Sequence, residues 1–364
     1  MPNPLSQMRI LSLTLFMGLV ATGAAAQQAA TDAEAEDLYQ RLWELSGHAD
    51  AASPSFNRWN ADGAVPATCA GCHTTTGFLD WTGADGSAAG SVEHPVPIGE
   101  TVACAACHAI DPQAVALTTF PSGATFDHGS ASGTCLACHQ GRTSGETVAN
   151  ATATIDGDDT VSAELRFVNI HFGPAAVMQG TDGRGGFEYP GQTYAGRFAH
   201  VEGFDTCTAC HDPHSTQVVA ETCVACHGDV ALRDIRLGSP DIDGDGDMAE
   251  GVAAEIHALH EALGAAIADY AGSNGGPIAY AKGFPYFFND LNGNSQVDED
   301  ERRRDNGYVG FTPRLLRAAY NYQVVATDPG AWAHNPRYAA QLLHDSIADL
   351  AAGGSSVTPP GERP

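Results

Sequence analysis

Lysine is nearly missing from this chain. Lys282 is the only one, and 17 Lys+Arg stand against 44 Asp+Glu, for a formal net charge of −27. A field of that sign repels nucleic acid and anionic lipid, which excludes those partner classes. Long apolar runs are missing too. The one run, residues 10–20, is too short to span a bilayer. No cysteine stands outside a single repeated pattern, so neither a lone thiol nucleophile nor an irregular disulfide framework is available. Methionine is scarce: beyond the first 26 residues only Met178 and Met248 occur.

The stretch at the N-terminus has one arginine, Arg9, then the short apolar run, then Ala24-Ala25-Ala26. That layout predicts a secretory signal over 1–26, an exported mature protein without a membrane span, and a periplasmic or extracellular location.

What the chain does have is CxxCH, five times. The motifs are Cys69-Cys72-His73, Cys104-Cys107-His108, Cys135-Cys138-His139, Cys207-Cys210-His211 and Cys223-Cys226-His227. CxxCH is the attachment signature of c-type haem: two thiols form thioethers and the adjacent histidine ligates iron. Zinc sites use CxxC pairs but place no demand on the next residue. Five covalent haems are therefore expected, with His73, His108, His139, His211 and His227 as proximal ligands. The motifs begin 35, 31, 72 and 16 residues apart, so they form no regular repeat. The short last interval makes the fourth and fifth haems neighbours.

Ten histidines lie outside the motifs: His48, His94, His128, His171, His200, His214, His257, His260, His334 and His344. They are ample for five sixth positions. With methionine scarce, bis-histidine ligation and low potentials are expected. His257, His260 and His344 fall in predicted helices and read as surface residues. Arg142 is a candidate partner for a haem propionate.

The predicted fold is mostly irregular and α-helical. Residues 27–235 form a haem-binding region whose core is haem rather than side chains, 236–351 a small helical lobe, and 352–364 a disordered tail. In the lobe, Val252, Ile256, Leu259, Leu263, Ile267 and Tyr270 make one stripe of a helix. Thr312-Pro313 and Asn335-Pro336 signal two further helix starts. Two Asp-rich loops resemble the EF-hand pattern. In the first, Asp241, Asp243, Asp245 and Asp247 alternate and Gly246 stands sixth, but Val252 occupies the twelfth position. In the second, Asp290, Asn292, Asn294, Gln296, Asp298 and Glu301 fill the ligand positions and Ser295 replaces the glycine. Calcium is the ion such alternating oxygen donors suit.

The segments CHQGR (138–142), FVNIHF (167–172), CHDPH (210–214), TPRLLRAAYNYQ (312–323) and PGAWAHNPRYAAQLLHDSI (329–347) resemble the multihaem c-type cytochromes of metal-reducing and related bacteria. The resemblance runs from about residue 46 to 350. It implies an extracytoplasmic pentahaem electron carrier whose partners are other redox proteins or an extracellular electron acceptor. Some proteins with related haem arrangements polymerise into filaments, so a homopolymer stays open. The resemblance favours His48, His171, His200, His214 and His334 as distal ligands, with His94 and His128 as alternatives. His214, three residues beyond His211, cannot reach the far face of its own motif's haem; it is expected to ligate a neighbour, and the fifth haem is the first candidate. The rival reading is a multihaem oxidoreductase acting on a small oxyanion such as nitrite, which needs one open iron; no altered motif marks such a haem.

Overall fold

Small polar residues, glycine and proline break the first two-thirds of the chain into short elements, whereas residues after 250 sustain long helices. The computed structural model describes residues 33–128, 130–180, 184–236 and 241–364. The expected secretory signal at 1–26 lies outside them. Among the described residues, no helix is long and apolar enough to cross a membrane. The chain divides into two units: residues up to Ile110 together with His211–Val218, and Asp111–Cys210 together with Val219–Pro364.

The first unit holds a helix over 33–44 and the short helices Ala67–His73, Thr75–Thr82 and Cys104–His108. Thr74 separates two of them and caps the second, its hydroxyl accepting from the Gly77 N–H at 2.9 Å. A Cβ at Gly77 would lie 2.5 Å from the Ala70 carbonyl oxygen, so only glycine lets these helices come so close. A two-residue antiparallel pair joins Ala64–Val65 to Val96–Pro97. The core is small: Trp59, Val65, Ala70 and Val96, with the Cys69 side chain packed against it.

The second unit carries the main core. Helices Val252–Asn274, Pro313–Thr327 and Pro336–Ala352 pack together through Leu259, Leu263, Leu315, Leu316, Tyr320, Leu342 and Ile347, all fully buried. Every member of the predicted 252–270 stripe is buried. The predicted helical lobe does not keep this core to itself, because Val148, Leu165, Ile170, Val177 and Phe187 belong to the same cluster.

Polar residues inside that core tie it to the irregular chain. Asn321 is fully buried; its side chain accepts from the Phe187 N–H at 2.7 Å and donates to the Phe187 carbonyl at 2.9 Å. Gln323, equally buried, accepts from the Ile170 N–H at 3.0 Å. A coil segment without a sheet partner thus satisfies its backbone on side-chain amides. His260 is half-buried rather than a surface residue: its Nε2 donates to the Tyr322 carbonyl at 2.9 Å, and burial pushes its pKa down to about 4. His257 is exposed, and His344 is half-buried.

The expected disordered tail packs instead. Ser355 and Ser356 hydroxyls each donate to Asp269 at 3.0 Å, and Arg363 forms a two-pronged ion pair with Asp345 at 2.7 and 2.8 Å. Specific polar contacts to the helices order a segment whose composition alone predicts none.

Candidate metal centres

Four CxxCH motifs lie wholly on short helices, Ala67–His73, Cys104–His108, Ser130–His139 and Glu221–His227; in the fourth motif the helix is Cys207–Cys210 and His211 follows it, bridged to Val218. On a helix, positions i, i+3 and i+4 share a face. Both thiols and the imidazole are therefore presented on one side in those four motifs, and both thiols in the fourth. All ten cysteines are half-buried or exposed, none sealed in a core. That is the donor set and the access a porphyrin needs.

Several imidazoles are oriented by their Nδ1 atoms. His139 Nδ1 donates to the Gly173 carbonyl at 2.6 Å and His211 Nδ1 to the Thr216 carbonyl at 3.1 Å. His334 Nδ1 meets the Asp328 carboxylate at 2.8 Å. A proton held on Nδ1 makes Nε2 the ligating nitrogen, and such outer partners raise ligand basicity. Gly173 is placed by the Ile170–His171 segment, which Gln323 holds; His171 itself has φ 88°, with its N–H bonded to the Asn169 side chain at 3.0 Å. The buried helix thereby sets the position of residues far from it in sequence.

The third, fourth and fifth motifs are neighbours. Cys207 N–H donates to the Ser132 hydroxyl at 3.2 Å. The Cys207 thiol is pushed down to about 6, chiefly by a hydrogen bond with Cys135, with the charges of His139 and His334 adding to the effect. Cys210 is pushed up by burial and by the nearby Cys223 and Cys207. The adjacency of the fourth and fifth follows from their spacing; that of the third and fourth, 72 residues apart, does not.

Two pairs of histidines face each other. His108 and His214 have ring centroids 6.1 Å apart with planes 8° from parallel. His200 and His227 have centroids 5.8 Å apart at 41°. The His260 and Tyr322 rings, by contrast, stack at 3.9 Å. His214 therefore faces the second motif, and the fifth-motif histidine faces His200. The turn that presents His214 is tight: Asp212 Oδ1 accepts from the N–H groups of His214 at 3.1 Å and Ser215 at 2.6 Å, and Tyr39 stacks on the His214 ring at 4.5 Å. Asx-turn chemistry in HDPHS could have signalled the turn; Tyr39 and Asp328 left no such signal.

Of the other candidates, His48 is half-buried and its carbonyl accepts from the Val102 N–H at 3.2 Å. His94 is exposed, as is Arg142, and His128 Nε2 shares a hydrogen bond with the Thr118 hydroxyl at 2.9 Å.

The Asp-rich loops are both wound like cation loops. Asp241 accepts from the Gly244 and Gly246 N–H groups at 2.6 and 2.9 Å; Asp290 does the same for Gly293 and Ser295 at 2.7 and 2.8 Å. Ser295, standing where glycine is preferred, takes φ 60°, and Gly246 takes φ 90°. Donor oxygens of Asp241, Asp243 and Asp245 lie within 4.8 Å of one another. Burial, then the charges of Asp245 and Asp241, raises the Asp243 pKa. Asp247 points its carboxylate back to the Ala249 N–H at 2.8 Å. In the second loop Glu301 is buried and accepts from Leu291 and Asp298 N–H groups at 2.7 and 3.1 Å, while Asn292 and Asn294 amides donate to Asp298 at 2.7 and 2.9 Å.

Comparison with known proteins gives one consistent answer. The chain is 27% identical over 395 residues to the C-type polyheme cytochrome OmcB of Geobacter sulfurreducens, covering 90% of this chain and 48% of the relative. It is 28% identical over 407 residues to OmcC of the same species, covering 92% of this chain and 48% of the relative. The chain is similar over most of its length to polyheme c-type cytochromes. It spans about half the length of the curated relatives it matches. No protein-family model and no solved structure matches it.

Proposed function

We propose that this chain is a pentahaem c-type cytochrome that moves electrons along closely spaced haems outside the cytoplasm. The observation that carries the reading is the repeated pairing of two thiols on one face of five short helices, with the motif imidazole on that face in four of them. A c-type haem supplies one-electron iron chemistry at each site. The chain's part is to anchor it through the thiols, to orient Nε2 through Nδ1 bonds to Gly173, Thr216 and Asp328, and to bring the motifs together. His48, His171, His200, His214 and His334 are the proposed distal ligands. Periplasmic or extracellular redox proteins, or an extracellular acceptor, are the proposed partners.

Purified mature protein is expected to carry five haems per chain by mass and haem assay. All should be low-spin in both oxidation states and unaltered by nitrite, cyanide or carbon monoxide. Fewer than five haems would overturn the count. A haem that binds and turns over nitrite would replace the carrier with the oxyanion reductase.

Calcium in the 241 and 290 loops is part of the same proposal, supported by the turn geometry and the gathered oxygens. Holding calcium at about a hundredfold Kd should stabilise the protein by about 2.7 kcal/mol per site. Chelation is expected to lower Tm by several degrees without loss of haem. Unchanged metal content and Tm after EDTA would remove calcium from the account.

A further inference from the structure

We infer that His108 and His214 are the axial pair of the second haem, and His200 and His227 that of the fifth. The inference rests on the haem reading above and adds which histidine serves which iron. An imidazole nitrogen sits about 2 Å from a first-row metal ion, so two imidazoles on opposite faces of one haem iron hold their centroids roughly 6 Å apart. The two observed separations, 6.1 and 5.8 Å, match that span. In both cases a motif histidine faces a histidine from outside the motifs. Each pair lies within one unit: His108 and His214 in the first, His200 and His227 in the second.

The pairing has a consequence for electron flow. His211 ligates the fourth iron and His214 the second, and three peptide links span at most about 11 Å. The Asp212 turn shortens that reach further. The second and fourth irons are neighbours although their CxxCH motifs start 103 residues apart (207 − 104). His214 is thus a strap from one haem's attachment segment to another haem's far face.

The test is a ligand exchange read by spectroscopy and potential. His214→Met should turn one bis-histidine haem into a His–Met haem of higher potential and remove the low-spin signal of near-parallel imidazoles. With Cys104→Ser and Cys107→Ser added, which deletes the second haem, the His–Met species should vanish. With Cys223→Ser and Cys226→Ser added, it should persist. The opposite pattern, or no His–Met species in a five-haem H214M protein, overturns the His214 assignment. H200M should behave in the mirror sense, its new species vanishing only with Cys223→Ser and Cys226→Ser. If the variants fail to mature, paramagnetic NMR of the unmodified protein decides. Tyr39 ring protons should show contacts to the axial ligand of the haem attached at Cys104 and Cys107, and contacts to any other haem would sink the pairing. A wild-type protein without covalent haem would refute the functional reading; five haems with the wrong exchange pattern would refute only the pairing.

Discussion

Protein carrying Cys207→Ser and Cys210→Ser is expected to hold four haems rather than five and to lose internal electron exchange more severely than any other single-motif deletion. The fourth motif touches the third through Cys135 and Cys207 and lies beside the fifth through Cys210 and Cys223. His214, three residues past its histidine, extends the same segment toward His108. Tunnelling rates fall exponentially with distance, so deleting a haem with several neighbours breaks more routes than deleting one at an end. The comparison is Cys69→Ser with Cys72→Ser, whose haem is anchored beside the Trp59–Val65–Val96 cluster. Stopped-flow reduction followed haem by haem would measure both. Equal slowing in the two variants would refute the central place of the fourth haem. Anchoring without thioethers is weak, so haem content is read first, and a variant that retains five haems would refute the attachment site itself.

Replacing Arg314 with alanine is expected to lower the unfolding free energy by about 1.5–3 kcal/mol, the range for hydrogen bonds to charged groups, because Asp349 is largely buried while Asp159 is nearly half exposed. Arg314 is 8% exposed. Its Nε donates to Asp159 at 2.7 Å, Nη2 to the same carboxylate at 3.3 Å, and Nη1 to the Asp349 carbonyl at 2.8 Å and to the Asp349 carboxylate. The Arg314 hydrogen bond holds the Asp159 carboxyl below the usual range, with Tyr270 donating to it at 2.7 Å. Alanine leaves two carboxylates without their hydrogen-bonded cation, with only the charge of Arg317 nearby. Lysine should recover little, because one ammonium cannot reproduce the planar two-sided fork. Denaturant titration at constant haem content is the measurement, and a loss below about 1 kcal/mol would place Arg314 among ordinary surface ion pairs.

Local patterns were legible in advance. A CxxCH needs only five consecutive residues, so the proposed thioether positions and proximal histidines are read directly from the chain. The 252–270 stripe and the Thr312-Pro313 and Asn335-Pro336 starts are local in the same way, and helices stand where they indicate. The first loop's weakness, valine at its twelfth position, and the second's, serine at its sixth, were also visible; that Ser295 adopts a positive φ was not. Asn321 and Gln323 are polar residues of a helix, yet both are buried because coil backbone at Phe187 and Ile170 comes to them for hydrogen bonds.

The amino-acid sequence by itself determined how many haem-attachment motifs exist, which histidine accompanies each, and which ion type the acidic loops suit, since all of these depend on residues within a few positions of one another. Only the tertiary structure decided that the third motif adjoins the fourth, that His214 faces His108 rather than the fifth motif, that His200 faces His227, and that residues after 352 pack on Asp269 and Asp345. Those relations join residues up to about a hundred positions apart. Spacing along a chain bounds how far apart two groups can be, but which of the reachable partners they meet is settled by the packing and hydrogen bonding of everything between them.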